Sequence, residues 1–309
     1  KKRILPESFF TTLSAFLVEV ALPLYLFTKV TSTDRSILTG SWIFPLAAAL
    51  YVGIGLLLGF MVFPLLALKK KKKRAGIALS TFGNSAYIPL SLTELFPVTV
   101  PFIAETFGKA APTLYISSYV LVLSPLLWSV GYALITGTTK ELRISRILNP
   151  PIVAILLGFF FLFTGLNEFL LNERSFVYHI YQGATTVGST TLPLILISIG
   201  AMIAGIDLHV EGKTKLLKMA FGVASVRFLF MPAIFFLSYF LLLRHLDFLT
   251  PAHIWVLFLE THIPPANNLA LMANRAGVNR GYTAFTTLVT YGGYLIVLPL
   301  YISLFLTIM

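Results

Sequence analysis

Phe82-Gly83-Asn84-Ser85-Ala86-Tyr87-Ile88-Pro89-Leu90 breaks one long apolar stretch, and Glu260-Thr261-His262-Ile263-Pro264-Pro265-Ala266-Asn267-Asn268 breaks another. Each is a polar, proline-bearing interruption inside what otherwise reads as a bilayer-spanning helix. Proline lacks an amide hydrogen and displaces a carbonyl of the preceding turn, so such a helix leaves free N–H and C=O groups. In hydrocarbon each unmet group costs several kcal/mol, unless protein or a water-filled cavity meets it. Two such breaks predict an all-α integral membrane protein whose split helices face its interior.

The surrounding sequence agrees. Of 309 residues, 57% are hydrophobic and 11% are charged, against about 25% charged in soluble domains. The mean hydropathy is +0.87. About 20 apolar residues span a bilayer, and candidate spans are Phe9–Val30, Trp42–Leu68, Ala75–Phe96, Ala111–Gly137, Ile147–Gly165, Phe176–Gly205, Thr214–Leu243, Pro251–Asn274 and Gly281–Met309. The loops between them are too short for a soluble domain. With no cysteine, disulfides, thiolate chemistry and cysteine-based metal sites are excluded. The chain lacks His-Glu-x-x-His, GxxxxGK[ST] and Gly-x-Ser-x-Gly, so neither an enzyme nor ATP-driven transport is expected.

The net charge of +11 sits in short loops. Lys1–Arg3, Lys69–Arg74, Lys140, Arg143, Arg146, Lys213, Lys215, Lys218, Arg275 and Arg280 fall on one side if each segment crosses once. Arg35, Lys109, Arg174 and Arg244 fall on the other. The positive-inside rule places the basic side in the cytoplasm and the C-terminus outside, in a multi-pass protein of the cell (inner) membrane. The lipid bilayer is then the partner of these charges, and no nucleic acid is expected. A homodimer is left open.

Ala21-Leu22-Pro23-Leu24 in the first span is echoed by Thr191-Leu192-Pro193-Leu194 in the sixth, and each split span lies two after its Leu-Pro-Leu span. An odd number of spans separates the copies, so they run in opposite senses, as in inverted-repeat transporters. The fifth span, opening on Asn149-Pro150-Pro151, has no counterpart in the first half. One helix is therefore expected before residue 1, completing five plus five.

Asn84, Ser85, Asn267 and Asn268 donate and accept hydrogen bonds, Thr261 adds a hydroxyl, and Pro89 and Pro265 mark the breaks; these seven are the candidate substrate-binding residues. Glu19, Glu260 and Arg227 are charges within spans, which mark functional sites by default. Glu260 is the candidate for a coupling ion, sodium included, or for a proton. Glu19 is likewise a candidate for a coupling ion or a proton, and His262 for the proton. A Glu260–Arg227 ion pair that only holds helices together is the competing reading.

Four stretches together resemble the auxin efflux carrier family, in the superfamily of the bile-acid sodium symporters: Leu13 to Pro23, Phe82 to Leu90, Leu148-Asn149-Pro150-Pro151-Ile152-Val153-Ala154, and Glu260 to Asn267 followed by Ala273-Asn274-Arg275-Ala276-Gly277-Val278. The short loop at Thr138–Arg146 fits a prokaryotic-type member. The resemblance implies a scaffold (residues 1–36 and 147–212) and a transport part (37–146 and 213–309) containing two crossing split helices. It implies a carrier of small organic anions, with Asn84, and less directly Asn267, at the substrate carboxylate. From the sodium symporters it implies a sodium role for Glu260. Glu19, where the family often has Asn, and His262 in the Pro-Pro motif depart from the pattern. A bile-acid-symporter-like carrier, a channel and a solute sensor are the alternatives.

Overall fold

The computed structural model describes residues 7–138, 148–204, 213–277 and 280–309. Of the basic positions, Lys1–Arg3, Lys140, Arg143 and Arg146 lie outside them, as do residues 147 and 205 at the ends of the fifth and sixth expected spans and Val278 of the last quoted stretch.

Among the described residues helices dominate throughout. The first span runs through α1 (Glu7–Phe16), a π-helical turn at Leu17–Ala21 and α2 (Leu22–Thr31). Next come α3 (Ile43–Leu65), α4 (Lys70–Thr81), α5 (Tyr87–Thr99) and α6 (Pro101–Phe107). The fourth span is α7 (Ala110–Leu126) continuing into α8 (Tyr132–Thr136), and the fifth is α9 (Pro150–Thr164). Then follow α10 (Phe176–Ser189), α11 (Thr191–Ala204), α12 (Lys213–Ser225), α13 (Met231–Leu241), α14 (Pro251–Thr261), α15 (Asn267–Arg275) and α16 (Arg280–Ile308). Among the described residues, five spans are long and apolar enough to cross a bilayer unbroken.

Side-chain distribution is that of a protein in lipid. On α3, Leu46, Leu50, Leu57 and Met61 point outward with about three-fifths of their surface exposed, while Phe44, Ala48, Val52 and Gly55 are buried. Lipid tails offer no penalty to the bulky face, and small residues let helix backbones approach. A Cβ at Gly55 would lie 3.0 Å from Thr81 Cα, so α3 rests directly on the end of α4, where that helix breaks.

Two expectations needed adjustment. Lys70–Arg74 is not a loop: it forms the first turns of α4. Like charges at a helix N-terminus are unfavourable, but Ala75–Thr81 behind them is wholly buried and holds the helix. The Lys72 ammonium sits 3.5 Å from the centre of the Tyr282 ring. Pro89 does not make the first break, because it falls in the first turn of α5, where its missing N–H would be unpaired anyway.

The helix after that break also ends abruptly. Val100 is extended (φ −130°, ψ 91°), as a residue before proline must be, and α6 turns away from α5 by 116°. Packing sorts the helices into neighbours. The first span lies on α9 and α10, and α1 touches α11. Elsewhere α3 packs on α4 and α7, α12 on α16 and α4, and α15 on α16 and α8.

Candidate functional site

The two breaks occur at residues 82–86 and 262–266, and they touch. Gly83 and Pro265 form an antiparallel bridge. The Asn84 amide donates to the Pro264 carbonyl (2.9 Å), and the Ala266 amide donates to the Phe82 carbonyl (2.9 Å). Each split helix thus answers part of the backbone deficit of the other. That explains how ten unwound residues survive in the interior of a membrane protein.

Gly83 is required by what crosses it. The Arg227 guanidinium lies over its Cα, and a Cβ there would overlap Nη2. Arg227, in the π-helical turn at Val226–Phe230 between α12 and α13, donates from Nε to the Ile263 carbonyl (2.9 Å), while Nη2 is buried without a partner. Arg227 therefore spans both breaks, packing on one and bonding the other.

Side chains extend the junction. Asn84 Nδ2 donates to the Tyr291 hydroxyl (2.7 Å). That hydroxyl donates to Asn267 Oδ1 (2.6 Å) and lies 3.2 Å from the Pro265 carbonyl. One tyrosine of α16 thereby joins the two asparagines expected at the substrate. No local pattern pointed to it: Tyr291 is one of 13 tyrosines in the chain, 207 residues from Asn84.

A cavity of about 90 Å3 borders this junction. Asn84, Ser85, Asn267 and Asn268 line it, with Asn149 and Trp128 toward one end. Four of the seven candidate binding residues are thus brought together. The other three have structural surroundings. Pro89 is buried in α5. Thr261 donates to the Phe258 carbonyl of its own helix (2.7 Å). Pro265 supplies the backbone bridge.

Behind the junction lies a second, fully buried polar group. Glu260 is 1% exposed, and neither of its carboxylate oxygens has a hydrogen-bond partner. The Ser85 hydroxyl is close by but makes no bond of good geometry to it, and Arg227, Tyr51, Tyr119 and Tyr294 stand within electrostatic reach. Glu260 and Arg227 form no ion pair within contact distance, but each lies in the other's field. His262 donates from Nδ1 to the Phe258 carbonyl (3.1 Å) and is enclosed by the rings of Phe258, Tyr294 and Tyr301; its Nε2 is buried and unpartnered. Glu19 is not brought to the site. It sits in the π-helical turn of the first span with its side chain exposed, although its neighbour Val18 lines the cavity. Among the described residues no group of three or more His, Asp or Glu is placed to hold a metal ion.

No curated protein matches the chain. A family described as membrane transport protein does match, over residues 1–146 and again over 138–302. Those two matches take in both split helices, the asparagines between them and nearly all the rest of the sequence, and the chain belongs to this membrane transport protein family, that of the auxin efflux carriers.

Proposed function

We propose that this membrane transporter is a secondary carrier of a small organic anion, moved by alternating access with its carboxylate held at the crossing of the two split helices. The observation that carries this reading is the junction itself: bridged backbones, Asn84 and Asn267 joined through Tyr291, and a cavity beside them. Amide donors and the N-terminal ends of half-helices suit an anionic oxygen. The size of the cavity sets a limit. A void of roughly 150 Å3 holds benzene, so about 90 Å3 suits a short mono- or dicarboxylate in this conformation.

In this reading Glu260 carries the coupling, to sodium or to a proton. Its oxygens are buried acceptors without partners next to the junction. Arg227 bears on the choice. It places a positive charge of the chain's own near the carboxylate, which favours a site that works without bound sodium.

Uptake into proteoliposomes tests the proposal. A panel of short carboxylates should include one with saturable flux, and Asn84→Ala should lower that flux at least about tenfold, the worth of one charge-assisted hydrogen bond. Sodium and pH gradients, imposed separately, assign the coupling. Unitary currents in place of saturable flux would make the protein a channel, and binding without flux would make it a sensor.

A further inference from the structure

A second polar cluster lies away from the crossing, and it is built between helices that the substrate reading assigns to different moving parts. Glu94, on α5, is a lone carboxylate inside a span. Three groups converge on its Oε1: the Lys29 ammonium at 2.7 Å, the Tyr25 hydroxyl at 2.8 Å and the Thr113 hydroxyl at 3.5 Å. Tyr25 and Lys29 belong to the first span, while Glu94 and Thr113 belong to α5 and α7.

This cluster borders its own cavity, of about 250 Å3, lined by Lys29, Lys109, Thr93 and Glu94 among others. The two cavities are stacked along the same three helices. On the first span, Val18, Leu22 and Leu26 face the crossing, whereas Lys29, and Thr33 just beyond the span, face the second cavity. On α7, Val120, Leu123 and Ser124 face the crossing, and Ala110 and Thr113 face the second cavity. On α5, Tyr87 faces the one and Glu94 the other. Seven residues separate Tyr87 from Glu94 and Thr113 from Val120, which is about 10 Å of helix. The crossing cavity continues toward Trp128 and Asn149, away from this cluster.

We infer that Lys29, Glu94 and Tyr25 form the closed gate of the carrier, on the side of the crossing cavity away from Trp128 and Asn149, and that the lysine-lined second cavity is the vestibule an anion occupies when the gate opens. The inference rests on the carrier reading for its purpose but not for its test. The pair is part-exposed, at 40% for Lys29 and 24% for Glu94, and lies near the ends of its spans. An ion pair of that kind contributes little stability, so it holds the helices weakly and suits a contact that breaks and reforms. The gate also hands its cation over: once Glu94 withdraws, Lys29 and Lys109 are left facing the vestibule, with charge to receive a carboxylate.

The chain contains no cysteine, so a single Val120→Cys reporter in the crossing cavity can be read cleanly. A membrane-impermeant maleimide is applied to either face of reconstituted vesicles. With Glu94 intact, labelling from the vestibule side should be the slower of the two. Glu94→Gln should raise that rate at least about tenfold, as expected when one charge-assisted contact biasing a two-state equilibrium is lost. Tyr25→Phe, which removes only the hydroxyl, should raise it by a smaller factor. Exchanging the charges, Lys29→Glu with Glu94→Lys, should return it toward the starting value. Unchanged side-specific rates in both Glu94→Gln and Tyr25→Phe, in protein that elutes as folded, would overturn the inference. Because labelling reports access rather than flux, a gate that responds in a protein that moves no carboxylate would refute the carrier reading and leave the gate standing.

Discussion

Asn84 and Tyr291 show how differently two partners in one hydrogen bond can be read. Asn84 announces itself, because an amide beside glycine and proline inside an apolar run has little other use. Tyr291 does not, since an aromatic residue in a membrane helix is ordinary and its hydroxyl matters only after the chain has folded back on itself. Glu94 was hidden for a similar reason: its partners Tyr25 and Lys29 lie 65 or more residues away. Glu19 stands out in the sequence as a mid-span charge, yet its side chain is exposed and does not line the crossing cavity. Tyr291→Phe removes the hydroxyl that accepts from Asn84 and donates to Asn267, leaving the buried Asn84 amide and the half-buried Asn267 amide short of a partner, at about 1–3 kcal/mol for the buried one. It should lower the melting temperature in detergent and depress flux together. Gly83→Ala should be worse than an ordinary helix substitution, because the new methyl meets the Arg227 guanidinium. An overpacking cost of about 1–3 kcal/mol is expected. Gly53→Ala, where nothing lies within 4 Å of the added carbon, is the control and should melt within a degree or two of the parent.

At the scale of single helices, the start and stop signals explain most boundaries. Asn149 caps α9 by accepting from the Ile152 amide (3.2 Å), with Pro150 at the first helical position. Its Nδ2 also reaches Ser124 Oγ (2.9 Å), tying α9 to α7 at one end of the crossing cavity. Asn149→Ala should therefore cost about 1 kcal/mol or slightly more. Asn149→Ser keeps the cap, so the difference between their melting temperatures isolates the link to α7. Thr250 and His253 cap α14 reciprocally, and the same imidazole reaches the Gly40 carbonyl through Nε2 (3.2 Å). The sharp exit of α5 into α6 was less legible. Pro97 and Pro101 are both visible in the sequence, but proline is common in membrane helices, and only the extended Val100 turns one of them into a corner. The lysine run misled for a physical reason: its charges argue against helix, and the buried residues that follow them outweigh the repulsion.

For the molecule as a whole, the all-α membrane fold was legible because lipid demands long apolar segments with every backbone group satisfied, and few sequences meet that demand by accident. The place where the chain satisfies it across helices, the two breaks, was legible for the same reason. How the split helices bond to each other was not, since backbone hydrogen bonds leave no mark on side-chain identity. The expected orientation makes a direct prediction. Cysteine introduced at Lys69 should react with an impermeant thiol reagent only from the cytoplasmic face, and cysteine at Asn172 only from the outside, as the distribution of lysine and arginine requires. The reverse pattern would overturn the orientation that the basic loops imply. The paired amides and carbonyls of Gly83, Asn84, Pro264 and Ala266 act as a rivet where two split rods cross. Rods riveted at their midpoints can pivot or travel as a unit, but neither can slide past the other; on the proposed carrier reading, a passenger seated at the rivet would make the whole journey without losing its grip.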